Sequence, residues 1–331
     1  MKNNISDIFK IPDSRYPVML SPMSGISTFP YRMLNRRFGC EFAFLEMIDA
    51  RSLAYKNLKT FDLMKTGPGD RPIGVQLLGR EAGFMEKAIE RLNILGFDVL
   101  DFNAACPKKK VVNKGKGASL LKEPKELCKI LKLLVKISRI PVTLKMRIGW
   151  SDRASSDDIA LMVQDAGVKA VTVHGRTALD GYRGTVDYDA IREIKKALSI
   201  PVIASGDILS SILAKKMFDE TGCDAIMVAR GALGNPWIFP EIKEFLEKGI
   251  IIKRPSVDEV INIAKEHFKE SCRFFGEEKA IRDFRKFFIW YTRGFNDARL
   301  LRIEAAKTKT SHRMLSLIEE LRDCADEAIY R

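Results

Sequence analysis

The chain has 331 residues and a formal charge of +13, from 56 Lys and Arg against 43 Asp and Glu. It is long enough for one large domain plus a small one and basic enough to suit a nucleic-acid partner. Its six cysteines form no C-x-x-C pair and its three histidines are scattered, which argues against a metal site. Met1-Lys2-Asn3-Asn4 opens without the apolar region of a signal peptide, and no apolar run approaches a membrane span, so a reduced cytoplasm is the expected setting.

Short β-rich apolar runs recur along the chain with stretches of helical period between them. The runs at 18–23 and 42–48 come first. Then 73–78 precedes an amphipathic 84–95, 99–103 precedes 124–137, and 142–147 precedes 156–166. Next, 170–174 precedes 190–198, 202–204 precedes 210–218, and 225–228 precedes 237–246. Eight alternating units predict an α/β fold, a (β/α)8 TIM barrel, over residues 1–247. A doubly wound open sheet is the competing architecture, but Ser21-Pro22-Met23-Ser24-Gly25 is not the glycine-rich dinucleotide turn such a sheet carries after its first strand. Beyond a connection at 248–255, Ser256 and Glu259 make a capping box. Helical patterns at 257–275, 277–292, 299–306 and 311–329 predict a small all-helical domain over 256–331.

The basic surplus is concentrated. Residues 104–147 hold thirteen Lys or Arg against two Glu, and residues 279–313 hold ten against three acids.

Functional groups of a βα barrel gather at the C-terminal ends of its strands. Seven of the eight predicted ends offer something polar or compact: Pro22, Met23 and Ser24 after the first strand, Gln76 on the third, Asn103 and Cys106 at the fourth, and Lys145 and Arg147 on the fifth. His174 ends the sixth, Ser205-Gly206-Asp207 the seventh, and Ala229-Arg230-Gly231 the eighth. A lone cysteine is most often a small core hydrophobe. Cys106 instead sits where a strand hands over to a loop, beside Lys108, Lys109 and Lys110 and before Gly115-Lys116-Gly117, a setting for a reactive thiol. The seventh and eighth ends place small residues and free backbone N–H groups before helices, the chemistry of a phosphate cradle, which alone indicates only a phosphorylated ligand. Lys145, within an apolar strand, needs an anionic partner if buried, and the period of two points Arg147 the same way. Gln76 is an amide among apolar neighbours and needs polar partners if buried.

Asn103-Ala104-Ala105-Cys106-Pro107 followed by Lys110-Val111-Val112 and Gly115-Lys116-Gly117-Ala118 resembles the signature of the tRNA-dihydrouridine synthases. The resemblance extends over most of the chain, including Leu233-Gly234-Asn235-Pro236-Trp237, and into the tail, where Arg285-Lys286-Phe287 and Trp290-Tyr291 resemble the RNA-binding helices of bacterial, B-type members. Ala105 stands where many members have Gly, and Ser21 where they often have Ala.

The resemblance implies a flavoenzyme that reduces a tRNA D-loop uridine to 5,6-dihydrouridine: NADPH reduces non-covalent FMN, the flavin N5 passes hydride to C6, and Cys106 protonates C5. It turns the cradle of Ser205, Gly206, Asp207, Ala229 and Arg230 into an FMN phosphate site. Lys145 and His174 are assigned to the flavin with Pro22, Met23, Ser24 and Gln76. Arg147 and Asn103 are assigned to the uracil, with Arg176 on the substrate side helping to order the loop. Lys108, Lys109, Lys110, Arg285 and Lys286 are expected to hold tRNA phosphates, and a monomer is expected. Two other readings compete with this one: a free-pyrimidine flavoenzyme resembling dihydroorotate dehydrogenase, which needs no basic tail, and an RNA-binding protein keeping FMN as a relic, against which the intact set Cys106, Lys145, Arg147 and His174 argues.

Overall fold

The computed structural model describes residues 4–324, so Met1–Asn3 and the last residues of the predicted 311–329 helix lie outside the described residues. Eight strands pair in parallel and in chain order: β1 (Val18–Leu20), β2 (Phe42–Asp49), β3 (Ile73–Leu78), β4 (Val99–Ala104), β5 (Val142–Arg147), β6 (Val171–His174), β7 (Val202–Ser205) and β8 (Ala225–Val228). β8 returns to β1, with Met19 opposite Met227, so the sheet is a closed barrel without edges.

The period-two pattern decides what faces inward. Leu100, Phe102, Leu144, Met146, Val171, Val173, Val202 and Ala204 belong to the apolar layer between barrel and helices. The residues alternating with them are Asp101, Asn103, Thr143, Lys145, Arg147, Thr172, His174 and Ser205. Register sets Asn103 opposite Lys145, Arg147 opposite His174, and His174 opposite Ser205. A polar tier therefore occupies the C-terminal half of the barrel interior.

The other half is apolar. Met19, Phe42, Phe44, Val99, Ala170, Ile203, Ala225 and Met227 form one buried cluster with Ile5, Ile8 and Phe9 from a short helix, Ile5–Phe9. Phe9 is fully buried, and its ring meets Phe42 edge-on with centroids 4.9 Å apart. Five residues are too few to show a helical period in the sequence.

The helix Phe29–Arg37 is likewise absent from the predicted elements. Its buried face includes Arg32, which is fully buried against Asp70 at 2.5 Å, so a charge interrupts the apolar stripe that announces a helix.

The tail consists of helices Val257–Phe275, Glu277–Tyr291, Arg299–Lys307 and Ser311–Glu319 followed by a 3₁₀ turn, and the predicted Ser256–Glu259 capping box is present. It shares the barrel's core: Ile261, Phe268, Phe284 and Phe288 are in the same cluster as the strand residues. Tyr31 joins the parts, its hydroxyl donating to Ala232 O at 2.9 Å and its ring lying 5.5 Å from Phe287. Among the described residues no acid, His or Cys cluster could hold a metal ion, and no helix is long and apolar enough to cross a membrane.

Candidate active site

A cleft of about 390 Å³ opens at the C-terminal end of the barrel. It brings together Pro22, Met23, Ser24, Gln76, Asn103, Cys106, Lys145, Arg147, His174, Ser205, Gly206, Asp207, Ala229 and Arg230, as the strand-end argument predicted, with Lys108 and Lys110 on its rim. A larger groove of about 570 Å³ lies between helices Phe29–Arg37 and Val257–Phe275. Its arginines are committed to acids, Arg36 to Asp70, Arg37 to Glu266 and Arg273 to Glu270, and His267 Nε2 is a single buried nitrogen of its lining without a partner among the described residues, where the barrel mouth gathers several polar strand ends.

The turn that carries Cys106 is shaped by Asn103, whose Oδ1 accepts from the backbone N–H of Ala105 at 3.1 Å and of Cys106 at 2.9 Å. Asn103 Nδ2 donates to Gln76 Oε1 at 2.8 Å, and Gln76 Nε2 donates to Asp101 Oδ2 at 2.7 Å. Thr143 donates to the other oxygen of Asp101 at 2.7 Å. These bonds correct the expectation that Asn103 and Gln76 offer their amides chiefly to ligands. Partners on neighbouring strands already take one N–H of each, and each residue, lining the cleft, has a second N–H in hand. Burial pushes Asp101 up to about 6, against the pull of Gln76, Thr143 and Lys145.

Lys145 and His174 are in the opposite condition. Lys145 Nζ and His174 Nε2 are buried yet have no hydrogen-bond partner among the described residues. Burial lowers Lys145 to about 8, with Asp101 opposing and Arg147 adding to the shift. His174 is driven far down by burial and then by Arg147, Lys145, Arg176 and Arg230, so it is neutral at pH 7. Buried polar atoms are nearly always satisfied, and a bound group with anionic and hydrogen-bonding edges fits both. Arg147 is buried and donates to Ala105 O at 2.8 Å, Thr177 O at 2.7 Å and Gly181 O at 2.9 Å, tying the Cys106 turn to the loop after β6.

At the cradle, a Cβ on Gly206 would lie 3.1 Å from the His174 ring, so glycine brings the backbone close to the cleft. Asp207 corrects the expectation for this loop, since its carboxylate is held between the guanidiniums of Arg176 and Arg230. Burial alone would raise its pKa, but the two arginines outweigh it and hold the group below its ordinary value. It contributes shape to the cradle, and Arg230, half exposed, remains at the cleft with positive charge. Arg176 does not line the cleft. It is buried and also donates to the carbonyls of Arg183 at 2.9 Å and Gly184 at 2.7 Å, which orders the loop after β6, and its Nη1 has no partner among the described residues.

The dihydrouridine synthase family model matches residues 19–329 of the chain. The chain belongs to the dihydrouridine synthase family. It is 37% identical over 288 residues to tRNA-dihydrouridine synthase B of Pseudomonas aeruginosa, covering 87% of each chain. It is 38% identical over 280 residues to the protein of the same name from Pseudomonas putida, covering 84% of this chain and 82% of that one. Histamine dehydrogenase from Rhizobium sp. 4-9 superimposes with a TM-score of 0.55 at 12% identity, over 81% of this chain and 51% of that one, a likeness of fold.

Three further placements in this family member could not be read from its sequence. Tyr182, which no sequence pattern marks, lines the cleft with its ring 5.6 Å from the Arg147 guanidinium and 5.2 Å from that of Arg230. An aromatic between Gly181 and Gly184 is the available signal. Arg285 and Lys286, expected to face RNA, are turned inward: Arg285 donates to Thr308 O at 2.9 Å and Lys286 to the carbonyl of Gly25. A helix that packs on two sides leaves those positions half-buried. Lys109 is exposed but lies off the cleft lining.

Proposed function

We propose that this family member reduces the C5–C6 double bond of a D-loop uridine in tRNA to 5,6-dihydrouridine, with FMN held in the cleft and NADPH as reductant. The observation that carries the reading is the pair of buried, unpartnered ends, Lys145 Nζ and His174 Nε2, opening on the same cleft as the Cys106 thiol. FMN bound there would supply the hydride that passes to C6 of the base. Lys145 would hold the negative charge of the reduced ring, His174 would hydrogen-bond it as a neutral imidazole, and Gly206, Ala229 and Arg230 would receive the phosphate.

Cys106 is the proton donor to C5, presented by the Asn103 turn. Arg147, fixed on three carbonyls, brings positive charge to the uracil oxygens as electron density moves onto them. The free N–H of Asn103 supports it. A base must leave its stack to enter the cleft, which favours a loop nucleotide.

A second cavity of about 350 Å³ shares Leu209, Arg230 and Leu233 with the cleft and runs between barrel and tail past Arg254, Trp290 and Arg293. Arg230 and Arg254 are paired there with Asp207 and Glu241, so Arg293 and Trp290 are what this cavity would offer the flanking RNA, and Lys108 and Lys110 would add charge on the rim of the cleft. A free pyrimidine would use none of it.

The deciding experiment offers the purified protein FMN, NADPH and, in parallel, unmodified tRNA, uridine or uracil. Dihydrouridine formed in tRNA alone is the expected result. Equal turnover of free uracil, or no uptake of FMN by the apoprotein, overturns the reading.

A further inference from the structure

The loop after β1 forms one wall of the cleft through Pro22, Met23 and Ser24. Much of it is held from within: Ser27 Oγ accepts from Met23 N–H at 2.9 Å and donates to Ser21 O at 3.0 Å. Gly25, at the tip, is held from outside by two side chains of opposite charge. Its N–H donates to the carboxylate of Glu46, a buried acid on β2, and its carbonyl accepts from Lys286 of the tail helix Glu277–Tyr291. These contacts span the chain, with Lys286 lying 261 positions beyond Gly25.

The same helix also reaches the loop after β8. Gly234 lies so close to it that a Cβ would be 2.6 Å from the carbonyl carbon of Trp290. Lys286 and Trp290 are four residues apart and so share a helix face. That face therefore braces the barrel loops on both sides of the β8–β1 seam, where the cleft opens. A lysine that served only to meet phosphate would stand in water. Lys286 is half-buried, and Asp283 and Glu46 are the acids that offset the loss of hydration.

We infer that Lys286 is a positioning residue, by which the helical tail fixes the Pro22–Ser24 wall of the cleft for its flavin through the carbonyl of Gly25. The inference rests on the FMN reading above. It makes the tail part of the cofactor site's architecture as well as a candidate RNA surface.

The test compares Lys286→Met with Lys286→Arg, which can still donate to Gly25. FMN affinity is read by titrating the apoprotein and following flavin fluorescence, and kcat and KM are read on tRNA. Lys286→Met is expected to weaken FMN binding about tenfold, as for loss of a charge-assisted hydrogen bond, and to lower kcat while KM for tRNA changes by less than about twofold. Lys286→Arg should restore FMN affinity to within about threefold of wild type. Unchanged FMN affinity with a raised KM would overturn the inference and return Lys286 to the RNA surface. If Lys286→Met does not fold, Glu46→Gln, which weakens the other half of the clasp, is measured in the same way, and wild-type FMN affinity in that variant overturns the inference. A wild-type protein that binds no FMN would identify the functional reading itself as the failure.

Discussion

Gly117 packs against the backbone of Cys106, so closely that a Cβ would lie 2.7 Å from the Cys106 carbonyl oxygen, which already accepts from Ala118 N–H at 3.1 Å. The residue also has φ +62°, so the loop behind the thiol requires glycine on two counts. Gly117→Ala is expected to cost roughly 1–3 kcal/mol of stability and to lower turnover on tRNA by displacing the Cys106 turn. Urea denaturation and a dihydrouridine assay measure the two effects. Wild-type values in both would mean that the turn does not depend on this close approach.

Cys106→Ala removes the thiol and leaves the Asn103 bond to the backbone intact. Reduction of bound flavin by NADPH should proceed as in wild type, while formation of dihydrouridine falls by ~10²–10⁴-fold, the usual worth of a general acid. Stopped-flow absorbance separates the two half-reactions. A mutant that modifies tRNA at the wild-type rate would leave Cys106 without a catalytic part.

Lys145→Met removes a buried cation. If that charge steadies the reduced flavin at about 1.5–3 kcal/mol, the midpoint potential of the bound cofactor should become more negative by roughly 30–65 mV. In the apoprotein the sign is different. The folded value is depressed from 10.5 to about 8, so the unfolded chain binds more protons between those values and the residue's contribution to stability improves as pH rises through that window. The difference in unfolding free energy between wild type and Lys145→Met should therefore shift toward wild type from about pH 8 to pH 10.5. A pH-independent difference and an unmoved potential would place Lys145 away from the flavin.

Arg293 lines the cavity between cleft and tail, is exposed and does not line the cleft itself. Arg293→Ala should raise KM for tRNA without altering FMN affinity. The salt dependence of binding should also flatten by roughly 0.7–0.9 in log–log slope, because one phosphate is no longer neutralised and its counterion is no longer released. Filter binding across a salt series provides the slope. An unchanged slope would route the RNA elsewhere.

The barrel was legible because short apolar runs return eight times with stretches of helical period between them. β3, β5 and β8 have the bounds those runs predict, and in β4 and β5 Asp101 and Asn103, or Thr143, Lys145 and Arg147, interrupt the apolar run at every second position. The convergence of Cys106, Lys145, Arg147 and His174 followed from the rule that barrel sites collect at strand ends. What the pattern could not carry was which polar atoms were already occupied. Gln76 and Asn103 find one another from adjacent strands, and Arg176 finds Asp207 from the next loop, pairings that exist only once the sheet closes. Lys286 illustrates the same limit in the tail, where a run of basic residues carries no sign that this side chain turns inward.

The packed lower half of the barrel has a kinetic consequence. With Phe9, Phe42 and Phe44 closing that end, the cleft is served from one side, and on the proposed function a nicotinamide and a tRNA nucleotide would both have to enter through it. Two guests sharing one doorway must take turns. Steady-state rates measured while both concentrations are varied should then give parallel double-reciprocal lines, with oxidised nicotinamide leaving before the RNA settles.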